Sequence, residues 1–208
     1  MLTRKLMTGA VAVLAMAANG LCQAAMLTNG SFETGMTGWQ KTAQAYNWNA
    51  TDTAVCLAAP TVDGGTRVGV FGYDSTNGYG HAWQVTSATV RADQGYTLAF
   101  SVAQVKWGAN TGKLKVTLGC WNGSTETAMD ELTVGGPTVK TQWATYYLTV
   151  SAAEIAAHPA WIGQKVGVSI WQTEQSSMLI DALTLVPEPA SLALLALGVA
   201  ALSRRRRA

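Results

Sequence analysis

The stretch Lys113-Leu114-Lys115-Val116-Thr117-Leu118-Gly119-Cys120 decides the fold class of this 208-residue chain. Apolar side chains alternate with polar or small ones through all of it. Because successive side chains of a β-strand point to opposite faces of a sheet, this alternation predicts a strand with one face buried and the other toward solvent. A fold with such strands needs a second layer to cover the apolar face.

Similar runs recur along the chain, separated by segments rich in Gly, Asn, Asp and Pro. They cover residues 67–71, 81–86, 96–102, 145–150 and 165–170, and a more continuously apolar run, 178–186, contains the single acid Asp181. One short helix is predicted where Ser151 and Glu154 form a capping box, and Pro159 ends it. The spacing of the strands predicts an all-β fold, a two-sheet antiparallel β-sandwich of the jelly-roll kind.

The first residues have the pattern of an export signal. Arg4 and Lys5 precede a mostly apolar run, residues 6–21, and small residues follow up to Ala24. This order predicts a signal peptide, residues 1–24, whose apolar helix is removed by signal peptidase; cleavage after Ala25 is the alternative.

The last residues have the pattern of a membrane anchor. Pro187, Glu188 and Pro189 precede an uncharged run, residues 190–202, and the chain then carries the basic block Arg204, Arg205, Arg206 and Arg207. At ~1.5 Å per residue this run spans roughly 20 Å as a helix, less than the ~30 Å hydrocarbon core, so it predicts a marginal transmembrane helix. The arginines favour the cytoplasmic side. The sequence therefore predicts one folded domain, residues 25–186, followed by a C-terminal sorting tail, residues 187–208.

This C-terminal order resembles the PEP-CTERM sorting signal of bacteria that make exopolysaccharide. The resemblance implies recognition by an exosortase and cleavage at or near residues 187–189. It also implies transient anchoring in the inner membrane and transfer to the cell surface or extracellular matrix, including a biofilm matrix. The alternative is a tail anchor that is never processed.

Charge and cysteine content narrow the function classes. Between the two ends stand eight basic and eleven acidic residues, a net charge of −3. No basic patch with interleaved aromatic residues is present, so a nucleic-acid partner is not expected. Cys56 and Cys120 remain after export; in an oxidising compartment they form a disulfide, or they are two separate buried thiols.

Three segments resemble carbohydrate-binding modules with the galactose-binding-like jelly-roll fold. They are residues 27–33 (LTNGSFE) with Gly38-Trp39, residues 95–101 (GYTLAFS) and residues 180–183 (IDAL). The resemblance implies that Glu33 and Asp181 hold a structural Ca²⁺ together with backbone carbonyls, because this ion takes six to eight oxygen ligands. The alternative is that both carboxylates accept hydrogen bonds without a metal.

Eight tryptophans suggest an aromatic ligand face. Strand parity predicts that several rings point outward, where they stack on sugar rings while neighbouring amides bind hydroxyls. The predicted ligand-binding residues are Trp121, Trp143, Tyr147, Trp171 and Gln172. Trp39, Trp83 and Trp161 are expected to fill the core or loops. The alternative is that the outward rings cap the sandwich edges.

Catalysis is not expected. The two histidines, His81 and His158, have no Ser or Cys nucleophile pattern nearby, and neither a zinc spacing nor a phosphate loop is present. The chain is thus predicted to be an exported, non-catalytic carbohydrate binder, with the cell's exopolysaccharide as ligand. The alternatives are a structural surface or matrix protein without a sugar site, and a secreted hydrolase.

Overall fold

The computed structural model describes residues 26–49, 62–105, 112–139 and 142–188. In these ranges the chain forms twelve strands, and ten of them build two antiparallel sheets of five strands each. This arrangement confirms the all-β, two-sheet sandwich that the sequence predicts. The remaining two strands pair as a small hairpin, β4 (Tyr73–Asp74) with β5 (Gly78–Tyr79).

The first sheet carries the site described below. In spatial order it consists of β1 (Gln40–Lys41), β6 (His81–Thr89), β11 (Lys165–Gln172), β8 (Lys113–Asn122) and β9 (Thr125–Gly135). Strand β9 was not predicted, because most of its side chains are polar and exposed and it lacks an alternating apolar face.

The second sheet covers the apolar face of the first. In spatial order it consists of β10 (Ala144–Val150), β7 (Tyr96–Gln104), β12 (Met178–Pro187), β3 (Arg67–Phe71) and β2 (Ala45–Asn49). A helix, α1 (Ala152–Ala156), and a 3-10 turn (Pro159–Trp161) follow β10.

The hydrophobic core lies between the two sheets. Leu114, Val116 and Leu118 of β8 are fully buried there, as the alternation in this strand predicts. Leu98 and Phe100 of β7 come from the opposite sheet and are also fully buried. Each such side chain contributes roughly 1.5–3 kcal/mol when it leaves water, so the sandwich is held mainly by this layer.

The predicted capping box is confirmed at the start of α1. The backbone N–H of Glu154 donates to Ser151 Oγ over 3.2 Å, and the backbone N–H of Ser151 donates to Glu154 Oε2 over 2.8 Å. These two bonds satisfy two of the N–H groups that a helix start leaves without partners. A five-residue helix therefore persists at the end of the sandwich.

Cys120 is buried in the core and has no disulfide partner among the described residues, and burial raises the pKa of its thiol. Cys56 lies outside the described residues, so a disulfide between the two cysteines stays a prediction.

The folded domain continues into the Pro-Glu-Pro element. Pro187 is the last residue of β12 and is paired with Tyr96, one residue beyond the predicted boundary. The backbone N–H of Glu188 donates to the carbonyl of Gly95 over 2.8 Å, and Thr97 Oγ1 donates to Glu188 Oε1 over 3.0 Å. The start of the tail is therefore fixed to the sandwich.

The two expected terminal segments are not covered. The signal peptide, residues 1–24, and the rest of the tail, including Pro189 and the arginines at 204–207, lie outside the described residues. Within the described ranges, no helix combines the length and the hydrophobicity needed to cross a membrane.

Candidate functional site

A cleft of about 370 Å³ opens on the face of the first sheet that points away from the core. We refer to it as the aromatic cleft. It is lined by Gln40, His81, Trp83, Val85, Trp121, Gly123, Ser124 and Glu126. Four strands of the sheet supply or border these residues, so the site is built on regular structure rather than on a long loop.

Strand β6 supplies one wall of the aromatic cleft. Ala82 and Gln84 are buried, while the intervening residues His81, Trp83 and Val85 line the cleft. The two-residue repeat of a strand thus places three neighbouring side chains on the outer face. Trp83 is also paired with Gln40 of β1.

Trp121 forms the opposite wall and lies flat on the sheet. The glycines beneath it, Gly119 of β8 and Gly167 of β11, are paired across the strands. A Cβ atom added at Gly167 would stand 2.8 Å from Trp121 Cζ3, and one added at Gly119 would stand 3.1 Å from the same atom. Only the absence of side chains at both positions lets the indole approach the backbone this closely. As a result Trp121 is only 4% exposed although it points away from the core.

His81 joins the aromatic cleft to an exposed tryptophan. Its ring lies 4.7 Å from the ring of Trp83 and 4.3 Å from that of Trp171, measured between centroids. Trp171 is 44% exposed. Burial, together with the positive charge of Lys115, lowers the pKa of His81, so the imidazole is neutral near pH 7. Its Nε2 atom is buried and has no hydrogen-bond partner among the described residues.

Glu126 gives the aromatic cleft an acidic edge. It is paired with Trp121 across β8 and β9, and its Oε1 accepts a hydrogen bond from Ser169 Oγ over 2.6 Å. No Lys or Arg is among the lining residues. The nearby Lys115 is instead paired with Glu131 at 3.5 Å. The cleft therefore combines two indoles, a neutral imidazole and a carboxylate.

Two of the five predicted ligand residues lie on this face of the first sheet. Trp121 lines the cleft, and Trp171 adjoins it through His81. Gln172 does not lie there, because successive residues of β11 point to opposite faces. Its side chain is fully buried, and its amide donates to the carbonyls of Glu174 and Ser176. The predicted role of Gln172 beside Trp171 is therefore wrong in this structure.

The other two predicted ligand residues lie on the second sheet. Tyr147 stands on β10, paired with Ala99, and is half-buried. Trp143 precedes β10 and packs, with Tyr46, against a second apolar cluster. We call this group the outer cluster; it consists of Val68, Val70, Ala103, Val105 and Leu179. The predicted ligand residues thus divide between two faces.

The structure adds residues to the site that the sequence interpretation missed. Trp83, expected to fill the core or a loop, lines the cleft, as do His81 and Glu126. The alternation of side chains along β6 could have predicted that Trp83 and His81 lie on the outer face. This alternation is hard to recognise because the inward-facing residue Gln84 is polar. The backbone N–H of Thr28 donates to Gln84 Oε1 over 2.6 Å, and Gln84 Nε2 donates to the carbonyl of Thr28 over 2.8 Å.

The carboxylates proposed for calcium lie around one turn of the chain. Glu33 Oε1 accepts the backbone N–H groups of Thr66 and Arg67, each over 2.8 Å. Asp181 accepts those of Val62 over 3.1 Å and Ala182 over 2.7 Å. Both alternatives therefore keep support, since the hydrogen bonds are present and each carboxylate still has a lone pair, which for Glu33 is on Oε2.

The charge at this turn fits a cation. Burial, together with the negative charges of Asp63 and Glu33, raises the pKa of Asp181 to about 7, and Asp181 is fully buried. A cation would relieve this repulsion, and carboxylates are oxygen donors that Ca²⁺ accepts. In the described ranges, however, no three His, Cys, Asp or Glu side chains converge closely enough to hold a metal.

The opening segment packs directly on the last strand beside Asp181. Leu183 donates its N–H to the carbonyl of Gly30 over 3.0 Å, and a Cβ atom on Gly30 would stand 2.0 Å from the carbonyl oxygen of Leu183. Glycine is therefore required at position 30. Ala182 adopts φ +54 where the register of β12 shifts, which bends the strand around this contact.

Sequence comparison identifies two features of the chain. The profile of the HpiC1-like family, described as HpiC1 cyclase, matches residues 20–186. The chain belongs to the HpiC1-like family. The profile of the PEP-CTERM protein-sorting motif matches residues 185–207 of this HpiC1-like chain and confirms the predicted resemblance of the tail. No curated protein matches the chain significantly in sequence.

Solved structures match the HpiC1-like chain in fold. A cyclase from Fischerella sp. TAU is 16% identical, with a TM-score of 0.62 over 81% of this chain and 98% of that chain. A cyclase from the same organism in complex with 4-(1H-indol-3-yl)butan-2-one is 15% identical, with a TM-score of 0.63 over 80% and 98%. At these identities the likeness shows the fold alone.

The expected carbohydrate-binding modules also occur among the structural matches. A family 16 carbohydrate-binding module is 16% identical, with a TM-score of 0.45 over 77% of this chain and 99% of that chain. This likeness is too low to carry an argument about ligands. The HpiC1-like family is described as a cyclase family, which runs against the expectation that the chain is not an enzyme.

Proposed function

We propose that this protein is an exported cell-surface or matrix protein that binds carbohydrate in the aromatic cleft. The observation that carries the proposal is the grouping of Trp83, Trp121 and the exposed Trp171 on one face of the first sheet. Indole faces stack on the apolar faces of sugar rings, and Gln40, Ser124 and Glu126 place polar groups at the margin for hydroxyls. Small-molecule sites are typically roughly 300–1,000 Å³, so the cleft accommodates one or two rings.

The PEP-CTERM motif supports the setting of this activity. A chain with this motif is a substrate for exosortase, and its folded domain then acts outside the inner membrane. Polysaccharide is the abundant ligand at that location in exopolysaccharide-producing bacteria. A shallow site on a rigid sheet suits a polymer that passes across the surface.

Family membership favours a second candidate function, conversion of a small indole compound. One related structure from Fischerella sp. TAU is a cyclase in complex with an indolyl butanone. In this chain the flat walls of the aromatic cleft suit an indole ring, and His81 and Glu126 are the titratable groups nearest to it. Under this hypothesis those two residues move protons while the indoles orient the substrate.

Ligand binding by the full chain tests the proposal. Titration calorimetry with β-1,4-linked hexasaccharides should show binding that Trp83→Ala and Trp171→Ala each abolish or weaken at least about tenfold. Trp161→Ala is the matched control, because Trp161 stacks on His158 and does not line the cleft. The same titration with 4-(1H-indol-3-yl)butan-2-one tests the second candidate. Binding of the indole compound but of no saccharide would replace the first proposal with the second.

We also propose that Ca²⁺ stabilises the junction of the opening segment with β12. Glu33 and Asp181 would hold the ion with backbone carbonyls of the 62–67 segment. When bound, the ion would neutralise the acidic turn and fix the first part of the domain to the last strand.

A further inference from the structure

We propose that the aromatic cleft selects a positively charged glycan, an amino sugar with a free ammonium group, over neutral sugars. This inference rests on the proposed function and names the class of sugar that the same site takes. It follows from the charge and chemistry of the lining residues rather than from the fold.

The first argument is the composition of the walls. Trp83 supplies a partly exposed indole, and Trp121, which is only 4% exposed, closes the opposite wall of the cleft. An ammonium group is attracted to the negative face of an aromatic ring, most strongly to tryptophan. Neutral sugars also stack on indoles, but they gain nothing from this electrostatic attraction.

The second argument is the position of the carboxylate. Glu126 is paired with Trp121 in the sheet and lines the same cleft as Trp83, so an ammonium group bound at the Trp83 indole shares the cleft with an acidic side chain. Ser169 Oγ donates to Oε1, which orients the carboxylate. Among the described residues, none of the observed ion pairs includes Glu126.

The third argument is the absence of competing positive charge in the cleft. No Lys or Arg lines it, and His81 is held neutral by burial and by Lys115. Lys115 itself is paired with Glu131. Lys165 lies opposite Trp121 in the sheet and keeps its positive charge, but its ammonium group donates to the carbonyl of Ser87 over 2.6 Å and is not among the lining residues. Glu126 is therefore the only charged side chain among the lining residues of the cleft.

Three hexasaccharides with one backbone test the inference in the purified full chain. Hexa-glucosamine, hexa-N-acetylglucosamine and cellohexaose are all β-1,4-linked and differ at C2, which carries an ammonium, an acetamide or a hydroxyl group. At pH 6 and low salt we expect hexa-glucosamine to bind about tenfold more tightly than cellohexaose, which corresponds to about 1.4 kcal/mol at 25 °C. The difference should shrink at high salt, because exposed charges are screened.

Two isosteric variants identify the residue responsible. Glu126→Gln should remove the preference for hexa-glucosamine while leaving the affinity for cellohexaose within about twofold. Glu174→Gln is the control, since Glu174 is an exposed carboxylate that is paired with Lys113 at 3.3 Å and does not line the cleft. It should retain the preference.

The outcomes separate the two proposals. Equal binding of all three hexasaccharides, or a preference that survives Glu126→Gln, overturns the inference and leaves carbohydrate binding intact. Absence of binding to every hexasaccharide overturns the proposed function, and the inference with it.

Discussion

The outer faces of the two sheets carry similar aromatic and apolar side chains but use them differently. On the second sheet, the outer cluster is fully buried, and Tyr46 and Trp143 pack against it. On the first sheet, Trp83 lines a cleft and is partly exposed, and Trp171 is 44% exposed; Trp121, at 4%, forms the buried wall of that cleft. Large apolar residues that form a closed cluster stabilise a domain, whereas those that remain accessible around a cleft are available to a ligand.

The polar residues sharpen this contrast. On the outer face of the second sheet, Thr97 bonds Thr149 over 3.3 Å and Ser101 bonds Thr145 over 2.8 Å, so polar groups satisfy one another. In the aromatic cleft, Nε2 of His81 has no partner among the described residues, and Glu126 uses Oε1 alone in the observed bonds. A binding site requires polar groups that can still form hydrogen bonds to a ligand.

The largest expected effect is on the outer cluster. Leu179→Ala should lower the free energy of unfolding by about 2–5 kcal/mol, because it removes a fully buried side chain and leaves a cavity. Denaturant titration measures this loss, and the affinity of the remaining folded protein for ligand should not change. Trp171→Ala should do the opposite, costing less than about 1 kcal/mol of stability while weakening binding. Equal stability losses in the two variants would contradict the division of roles between the faces.

The second prediction concerns Asp181, a fully buried residue of strand β12 in the second sheet. Its folded pKa of about 7 lies above the unfolded value of 3.8, so the folded state binds the proton more tightly. In calcium-free buffer, the stability that Asp181 contributes should therefore be complete below about pH 4 and be lost as the pH rises to about 7, a change of up to about 4 kcal/mol.

Calcium should stabilise the protein through Asp181, and this stabilisation should increase with pH, whereas the contribution of protonated Asp181 decreases with pH. The ion binds the ionised carboxylate, so 1 mM Ca²⁺ should raise the melting temperature at pH 8 and have little effect at pH 4. Asp181→Asn should remove both the calcium effect and this part of the pH dependence. Asp93→Asn is the control, because Asp93 is exposed and paired with Arg91. A pH 8 melting temperature that is insensitive to both calcium and EDTA would remove the proposed ion.

Strand alternation predicted the fold because it depends on local pattern alone. It placed Leu114, Val116 and Leu118 in the core and turned Trp121 and Trp171 away from it, as the structure has them. It could not show that Trp121 lies flat, because that depends on Gly119 and Gly167, which are 48 positions apart and meet only through strand pairing. Nor could it place Glu126 beside Trp121, since β9 has no apolar alternation to reveal it.

The third prediction tests this pair of glycines. In Gly167→Ala the added methyl would meet Trp121 at 2.8 Å and the carbonyl oxygen of Gln84 at 2.5 Å, so the indole must tilt. We expect a stability loss of about 1–3 kcal/mol and a changed tryptophan fluorescence spectrum, together with weaker ligand binding. Gly135→Ala on β9 is the control, because its nearest contact is at 3.5 Å. An unchanged spectrum in Gly167→Ala would mean that Trp121 does not lie on the glycines.

The smallest expected effect is the titration of His81. Burial and Lys115 lower its pKa in the folded state, so the unfolded state binds the proton more tightly. The stability that His81 contributes is therefore complete above about pH 6.5 and is lost as the pH falls through the lowered pKa. His81→Asn should flatten this part of the pH profile in thermal unfolding.

The protonation of His81 should change the affinity for ligand more clearly than it changes the stability of the protein. The charges around His81 are Lys115 on β8 with its partner Glu131 on β9, and Glu126 at the edge of the cleft. When His81 gains a proton, its positive charge offsets the negative charge of Glu126, so hexa-glucosamine should bind more weakly below this pKa while cellohexaose is little affected. His81→Asn should keep the preference for the amino sugar to lower pH. If instead both saccharides weaken in parallel, protonation disturbs the stacking of His81 between Trp83 and Trp171, and the charge of the cleft does not decide its selectivity.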